Sequence, residues 1–226
     1  MSQNRSSAVM AQRREPHDSL DFFPTPPWAT RALIEHVLVG LGKYGYRSFL
    51  AHSVVWEPAC GEDHMVNALA EYFGEVIGTD VDARMHGGPP HDFLMPYLPY
   101  IVEHRPGPHF VITNPPFRLA AEFVARGQEV AEIAVAMLVR TVFLEGAARY
   151  REIFESNPPL IFAPFSERVP MLKGRLDRKA SSATSYAWFV WPGRDFKRTS
   201  IDPKLIWIPP CRKALERPGD YEEPDR

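Results

Sequence analysis

Asn114-Pro115-Pro116-Phe117 directly follows the apolar run His109-Phe110-Val111-Ile112-Thr113, so an amide, two imino acids and an aromatic ring stand at the end of a buried strand. Such a turn suits the alignment of a planar amine. The exocyclic amine of adenine is a poor nucleophile, because its lone pair is conjugated with the ring. The Asn114 amide oxygen and the Pro115 carbonyl can accept its two hydrogens and direct the lone pair at an electrophile. Pro115 and Pro116 lock φ and remove competing N–H donors. Phe117 can stack on a base extruded from its helix. No carboxylate base is required at that step, since alignment carries much of the rate. The same tetrapeptide also reads as a strand stopped by prolines, and the neighbouring strand ends weigh between the two readings.

Those ends are acidic. Ser53-Val54-Val55-Trp56-Glu57-Pro58 is a short buried strand that runs into Ala59-Cys60-Gly61-Glu62-Asp63-His64, small residues that open a helix as a backbone nest. The dinucleotide fingerprint GxGxxG is absent, and a carboxylate at this tip repels a pyrophosphate, so the site suits a cationic ligand group. Asp80 ends a second strand, 75–80, and lies 23 residues after Glu57, where a carboxylate accepts from a ribose diol. Asp92 precedes Phe93 at a third candidate tip, placed to accept from an adenine amino group. Three acidic tips in register favour the chemical reading of Asn114 to Phe117.

The elements that must carry these tips follow from periodicity. Apolar positions between Trp28 and Leu41 recur at helical spacing behind Pro26 and Pro27. Helices are expected over about 63–73, 118–130 and 142–155, and strands at 53–58, 75–80, near 92–94, and at 109–114, 133–140, 160–165, 184–191 and 205–208. Strand and helix alternate from 53 to 155, which predicts a parallel sheet covered on both faces. The last strands lack a helix between them and predict an antiparallel hairpin at one edge. Residues 1–20 read as a flexible tail, 21–210 as one domain and 211–226 as a polar tail. Trp188 and Trp191 are expected to pack on the sheet.

Composition bounds the function. The chain has 226 residues, 45% hydrophobic and 24% charged, ordinary for a globular protein with a sizeable core. It has no apolar run of membrane-span length and no signal-peptide core. Cys60 and Cys211 make neither a disulfide framework nor a zinc site. A cytoplasmic protein is expected. His86, His91, His104 and His109 have no metal-ligand spacing, so no metal is expected. Net charge is −2, yet residues 165–200 carry eight Lys/Arg against three acids. Within that segment Arg168, Lys173, Arg175, Arg178 and Lys179 are the candidate phosphate contacts.

On these residues the chain resembles amino-group DNA methyltransferases that use S-adenosylmethionine, especially small phage- and prophage-type adenine-N6 enzymes. Asp21-Phe22-Phe23-Pro24-Thr25-Pro26 is similar to the segment lining the methionine end of the cofactor, Glu57-Pro58-Ala59-Cys60-Gly61 to the cofactor loop, Asp80 to the ribose acid and Asp92-Phe93 to the adenine-binding pair. Asn114 to Phe117 is similar to the catalytic tetrapeptide. The stretches 138–146 and 185–191 also fit the phage-type members. The resemblance implies a Rossmann-like class I methyltransferase: an α/β fold with a mostly parallel seven-stranded sheet, helices on both faces and an antiparallel edge hairpin. It implies methyl transfer to the N6 amine of adenine in DNA. Phe23, Pro24, Thr25, Glu57, Pro58, Ala59, Gly61, Asp80, Asp92 and Phe93 would bind the cofactor.

Two departures stand out: Asp63 replaces the second glycine of the cofactor loop, and Phe117 replaces a common Tyr. No separate target-recognition domain follows the core, so target choice falls to loops or to a protein partner. The alternatives are the same chemistry on RNA adenine or guanine or on a protein glutamine amide, and a non-catalytic module that binds the cofactor or DNA.

Overall fold

The computed structural model describes residues 21–39, 45–82, 88–99, 107–200 and 202–221. The expected N-terminal tail, residues 1–20, and the end of the first expected helix at Leu41 lie outside the described residues. The helices are α1 (Pro27–Ala32), α2 (Tyr46–Leu50), α3 (His64–Leu69), α4 (Ala120–Val130), α5 (Ala147–Arg149) and α6 (Arg212–Leu215). The strands are β1 (Val54–Glu57), β2 (Glu75–Gly78), β3 (Phe110–Thr113), β4 (Ala134–Arg140), β5 (Ile161–Pro164), β6 (Tyr186–Pro192) and β7 (Lys204–Leu205). They form one seven-stranded sheet in the order β2-β1-β3-β4-β6-β5-β7. All neighbours are parallel except β6, which runs antiparallel to both β4 and β5. The hairpin is present, but the outermost strand on that side is β7, parallel to β5.

The apolar runs that predicted buried strands work by alternation onto two faces. Phe110, Ile112, Ala136, Leu138, Trp188 and Val190 face one core with Trp28, Leu33 and Leu69. Val111, Val135, Met137, Val139, Phe189 and Trp191 face the other with Phe123 and Val124 of α4. Trp188 and Trp191 are fully buried in the sheet, as expected, and donate from their indole nitrogens to the carbonyls of Ala29 and Asn157 at 3.0 and 3.1 Å.

Three expectations change. No strand forms near Asp92: its Oδ1 accepts from the Leu94 N–H at 3.0 Å, closing a turn in place of pairing with β2. The expected helix over 142–155 is broken. A 3₁₀ turn (Thr141–Leu144) stops at Gly146, whose φ of 115° α-helix does not allow, before α5 and a π-helical turn (Tyr150–Phe154). The first helix likewise passes into a π-helical segment, Leu33–Leu38.

The polar C-terminal stretch is docked as far as residue 221. Arg31, itself buried, donates to both oxygens of Asp220 at 2.7 Å, to Glu71 at 2.7–3.1 Å and to the Leu215 carbonyl at 2.8 Å. This cluster ties α1, the end of α3 and the segment after α6 together. Residues 222–226 lie outside the described residues.

Candidate active site

β1 is flanked by β2 and β3, and the chain leaves it in opposite directions, so a crevice opens at its carboxyl end. Asp21, Phe23, Pro24, Thr25, Glu57, Pro58, Ala59, Asp80, Asp92, Phe93, Asn114 and Pro116 line one cleft there. The structure thus brings the N-terminal segment, the three acidic tips and the Asn114 turn to one place. Gly61, Pro115, Phe117 and the five basic candidates are not among the residues that line it.

The cofactor-loop candidates are shaped by backbone. Gly61 donates its N–H to Asp80 Oδ2 at 2.9 Å, while Asp82 donates to Oδ1 at 2.9 Å, so the Asp80 carboxylate is held in one orientation. A Cβ on Gly61 would stand 2.6 Å from the Phe22 ring, and its φ is 55°. Glycine is therefore favoured there on two counts, since any side chain would strain that φ and push the Phe22 ring aside. Asp63 has φ 64°, the left-handed conformation a glycine adopts freely, and caps α3 without a side-chain hydrogen bond to the helix. The departure at this position therefore keeps a glycine-like backbone, which Asp tolerates better than most residues.

Glu57 is fully buried and accepts from the Ala59 N–H at 3.0 Å. Burial pushes its carboxyl up to about 8, with the negative charges of Asp80 and Asp63 adding to the shift. With Asp21, Asp80 and Asp92 on the same walls, the cleft favours a positively charged guest. Cys60 lines the cleft as a buried thiol that its apolar and acidic surroundings push upward, which keeps it neutral and poorly nucleophilic.

Asn114 carries the sharpest feature. Its Nδ2 donates to the Phe23 carbonyl at 2.8 Å and lies 3.9 Å from Met171 Sδ. Its Oδ1 is buried and has no hydrogen-bond partner. Such an atom is costly, about 1–3 kcal/mol, unless a ligand supplies the donor. The Phe117 N–H donates to Asp21 Oδ2 at 2.9 Å, which fixes the turn to the N-terminal segment. The Phe117 ring packs against Phe23 with centroids 5.2 Å apart.

The basic loop between β5 and β6 reaches this wall. Gly174 donates its N–H to the Phe22 carbonyl at 2.9 Å, and Val169 and Met171 are buried beneath it. All five cations are exposed. Arg168 is held by the Ala183 carbonyl and Ser185, Arg178 pairs with Glu216 at 3.2 Å, and Arg175 lies 3.9 Å from Asp177.

Two residues escaped sequence reasoning. His91, weighed there only as a metal ligand, lines the cleft with its Nε2 buried and unpartnered. It donates its backbone N–H to the Asp80 carbonyl at 2.8 Å and packs on Trp56. Burial lowers its pKa, so the ring is neutral near neutral pH. Its place beside the Asp92-Phe93 tip was the available signal. Arg140 lies over Phe117, and nothing in its local sequence marks that contact. Among the described residues no group of three His, Cys, Asp or Glu is arranged to hold a metal, and no helix is long and apolar enough to cross a membrane.

No protein-family model matches the chain, and no curated protein matches it significantly by sequence. Solved structures do match. A putative RNA methyltransferase from Pyrococcus horikoshii superposes with a TM-score of 0.53 at 15% identity, over 82% of this chain and 96% of that one. The M protein of the EcoKI type I restriction enzyme gives 0.52 at 12% identity, over 85% of this chain and 49% of that one. A modification subunit of a putative type I restriction enzyme from Vibrio vulnificus YJ016 gives 0.48 at 13% identity, over 83% and 48%. The chain spans about half the length of the two type I subunits. The fold is that of Rossmann-like class I methyltransferases.

Proposed function

We propose that the chain transfers a methyl group from S-adenosylmethionine to the N6 amine of adenine in DNA. The observation that carries this reading is the buried, unpartnered Asn114 Oδ1 at the edge of an acidic cleft, with the amide held the right way round by the Phe23 carbonyl. The cofactor, when bound, supplies an electrophilic methyl group on a positively charged sulfur. Asp80 accepts from the ribose diol, and Asp92 with Phe93 holds the adenine end. Glu57, Phe23, Pro24, Thr25, Pro58 and Ala59 surround the cationic end, while Gly61 orients Asp80.

Asn114 Oδ1 and the Pro115 carbonyl accept the two hydrogens of the target amine and turn its lone pair toward the methyl. The N–C bond would form as the S–C bond breaks, and the sulfur would leave with that electron pair as the neutral thioether of S-adenosylhomocysteine. The methylated amine would lose one proton to solvent. Pro116 stiffens the turn, and Phe117 stacks on the base. Holding the amine this way replaces a bimolecular encounter by alignment. Arg168, Lys173, Arg175, Arg178 and Lys179 take backbone phosphates, and target choice rests on loops or a protein partner.

RNA is the nearest second substrate, favoured by the likeness to the Pyrococcus protein, which this chain covers almost end to end. The test is transfer from methyl-labelled S-adenosylmethionine by purified protein to DNA, RNA and total cell protein offered separately. Label in DNA at N6 of adenine is the expected result. Label only in RNA moves the substrate, and label only in protein overturns the nucleic-acid reading.

A further inference from the structure

The ring on which a base would stack is already covered. Arg140, the last residue of β4, holds its guanidinium carbon over the Phe117 ring at 3.9 Å from the centroid and lies 5.7 Å from the Phe23 centroid. A planar group at 3.9 Å occupies the stacking position itself, so guanidinium and base cannot share that face. The guanidinium hydrogen-bonds the Tyr186 hydroxyl, while its Nε is buried with no hydrogen-bond partner, so part of its bonding capacity is unused.

The position is the right one for a residue that responds to substrate. β4 neighbours β3 in the sheet, with Met137 opposite Thr113, so Arg140 leaves its strand beside the Asn114 turn. Across the next pair it stands opposite Tyr186, whose ring is 6.4 Å from Phe117. Val142 and Leu144, 52% and 45% exposed, follow at once, so the surface here is open. The basic loop reaches the same wall through Gly174 and Phe22. A polyanion lying on that loop would run past Arg140.

We propose that Arg140 holds the place of the target base on Phe117 in the free protein, and that substrate entry turns its guanidinium onto a phosphate beside the extruded nucleotide. The inference rests on the methyl-transfer reading of the Asn114 turn and deepens it. A phosphate-bearing chain both needs the face and offers the guanidinium a new partner, whereas a free nucleoside offers none. Arg140 acts as a positioning residue in the unbound state and as a phosphate contact in the bound state. Selection of polymer over nucleoside follows from that exchange.

The test uses full-length protein saturated with S-adenosylhomocysteine and a ten-residue oligodeoxyadenylate, in which every base is an unpaired adenine. Affinity is measured against salt for the wild type, Arg140→Ala, Arg140→Gln and Arg140→Lys. Loss of one phosphate contact on a single strand reduces the slope of log K against log salt by about 0.7 in the Ala and Gln variants, and Lys retains the wild-type slope. Free adenosine, excluded by the guanidinium, binds Arg140→Ala about threefold or more tighter than wild type, on the scale of a displaced cation–π contact. A damaged fold does not produce that gain. Unchanged slopes in Ala and Gln, with methyl transfer to DNA by the wild type intact, overturn the role of Arg140 alone. Absence of transfer to any nucleic acid by the wild type overturns the underlying reading and this inference with it.

Discussion

The Asn114 side-chain amide donates to the Phe23 main-chain carbonyl at 2.8 Å, and this contact decides which end of the amide is left for a substrate. A carbonyl only accepts, so the nitrogen must face Phe23 and the oxygen must face away. That oxygen is buried and unpartnered. The N-terminal segment therefore sets the orientation of the Asn114 amide as well as forming a wall of the cleft.

Asn114→Ala removes the acceptor and leaves the acidic cleft intact. Transfer should fall by roughly 10²–10³-fold, the scale of losing one preorganised hydrogen-bonding group. Cofactor affinity should stay within a few-fold. Asn114→Asp should be equally poor, because a carboxylate cannot donate to the Phe23 carbonyl. Single-turnover rates beside calorimetric cofactor titrations separate the two effects, and lost cofactor binding would count against this division of roles.

Glu57 makes stability and cofactor binding depend on pH in opposite directions. Its folded value, about 8, lies above the ordinary 4.5, because burial disfavours the charged form. The folded state therefore retains a proton that the unfolded state loses. The resulting stability is fully present below about pH 4.5 and is lost as pH rises to about 8. A cationic guest favours the ionised form, so cofactor affinity should climb with pH and level off above about 8. Glu57→Gln should flatten both profiles and weaken cofactor binding. Urea midpoints and cofactor titrations between pH 5 and pH 9 check it, and a wild-type affinity independent of pH would contradict it.

Asp63 holds a positive φ of 64° at the entry to α3. Asp63→Gly should raise stability by a few tenths to about 1 kcal/mol by relieving that conformation, and Asp63→Val should lower it by about 1–2 kcal/mol. Thermal unfolding midpoints decide. A glycine variant less stable than wild type would mean that the Asp63 side chain contributes more than its backbone costs.

Arg31→Met leaves Asp220 buried without its partner and should cost about 3–5 kcal/mol, the scale for breaking a buried ion pair from one side. Truncation after residue 210 should release the same clasp. A lowered urea midpoint with an unchanged slope is the expected signature, and a loss below about 1 kcal/mol would show that the cluster behaves like a surface ion pair.

Much of this architecture is legible in the chain because its signals are local. β1, β3 and β4 begin and end within a residue or so of their apolar runs, since a doubly covered strand must be apolar throughout, and Pro58 and Pro115 end the first two. The Asn114 turn is marked by its own prolines. Asp92 misleads, because an Asx turn and a short strand share the same residues, and only the absence of pairing with β2 separates them. The break at Gly146 depends on a φ that one glycine in a helical pattern does not reveal. Arg31 meets Asp220 across 189 positions, and Arg140 meets Phe117 from another strand. Contacts of that span leave no periodicity to read.

Asn114 is proposed to present an acceptor to an adenine amine in DNA. The most direct measurement is nucleoside mass spectrometry on DNA and RNA from cells producing the protein, beside cells producing Asn114→Ala. A rise of N6-methyladenine in DNA that disappears in the variant is the expected result. The same rise with both proteins, or none with either while the purified protein binds S-adenosylmethionine, would contradict it.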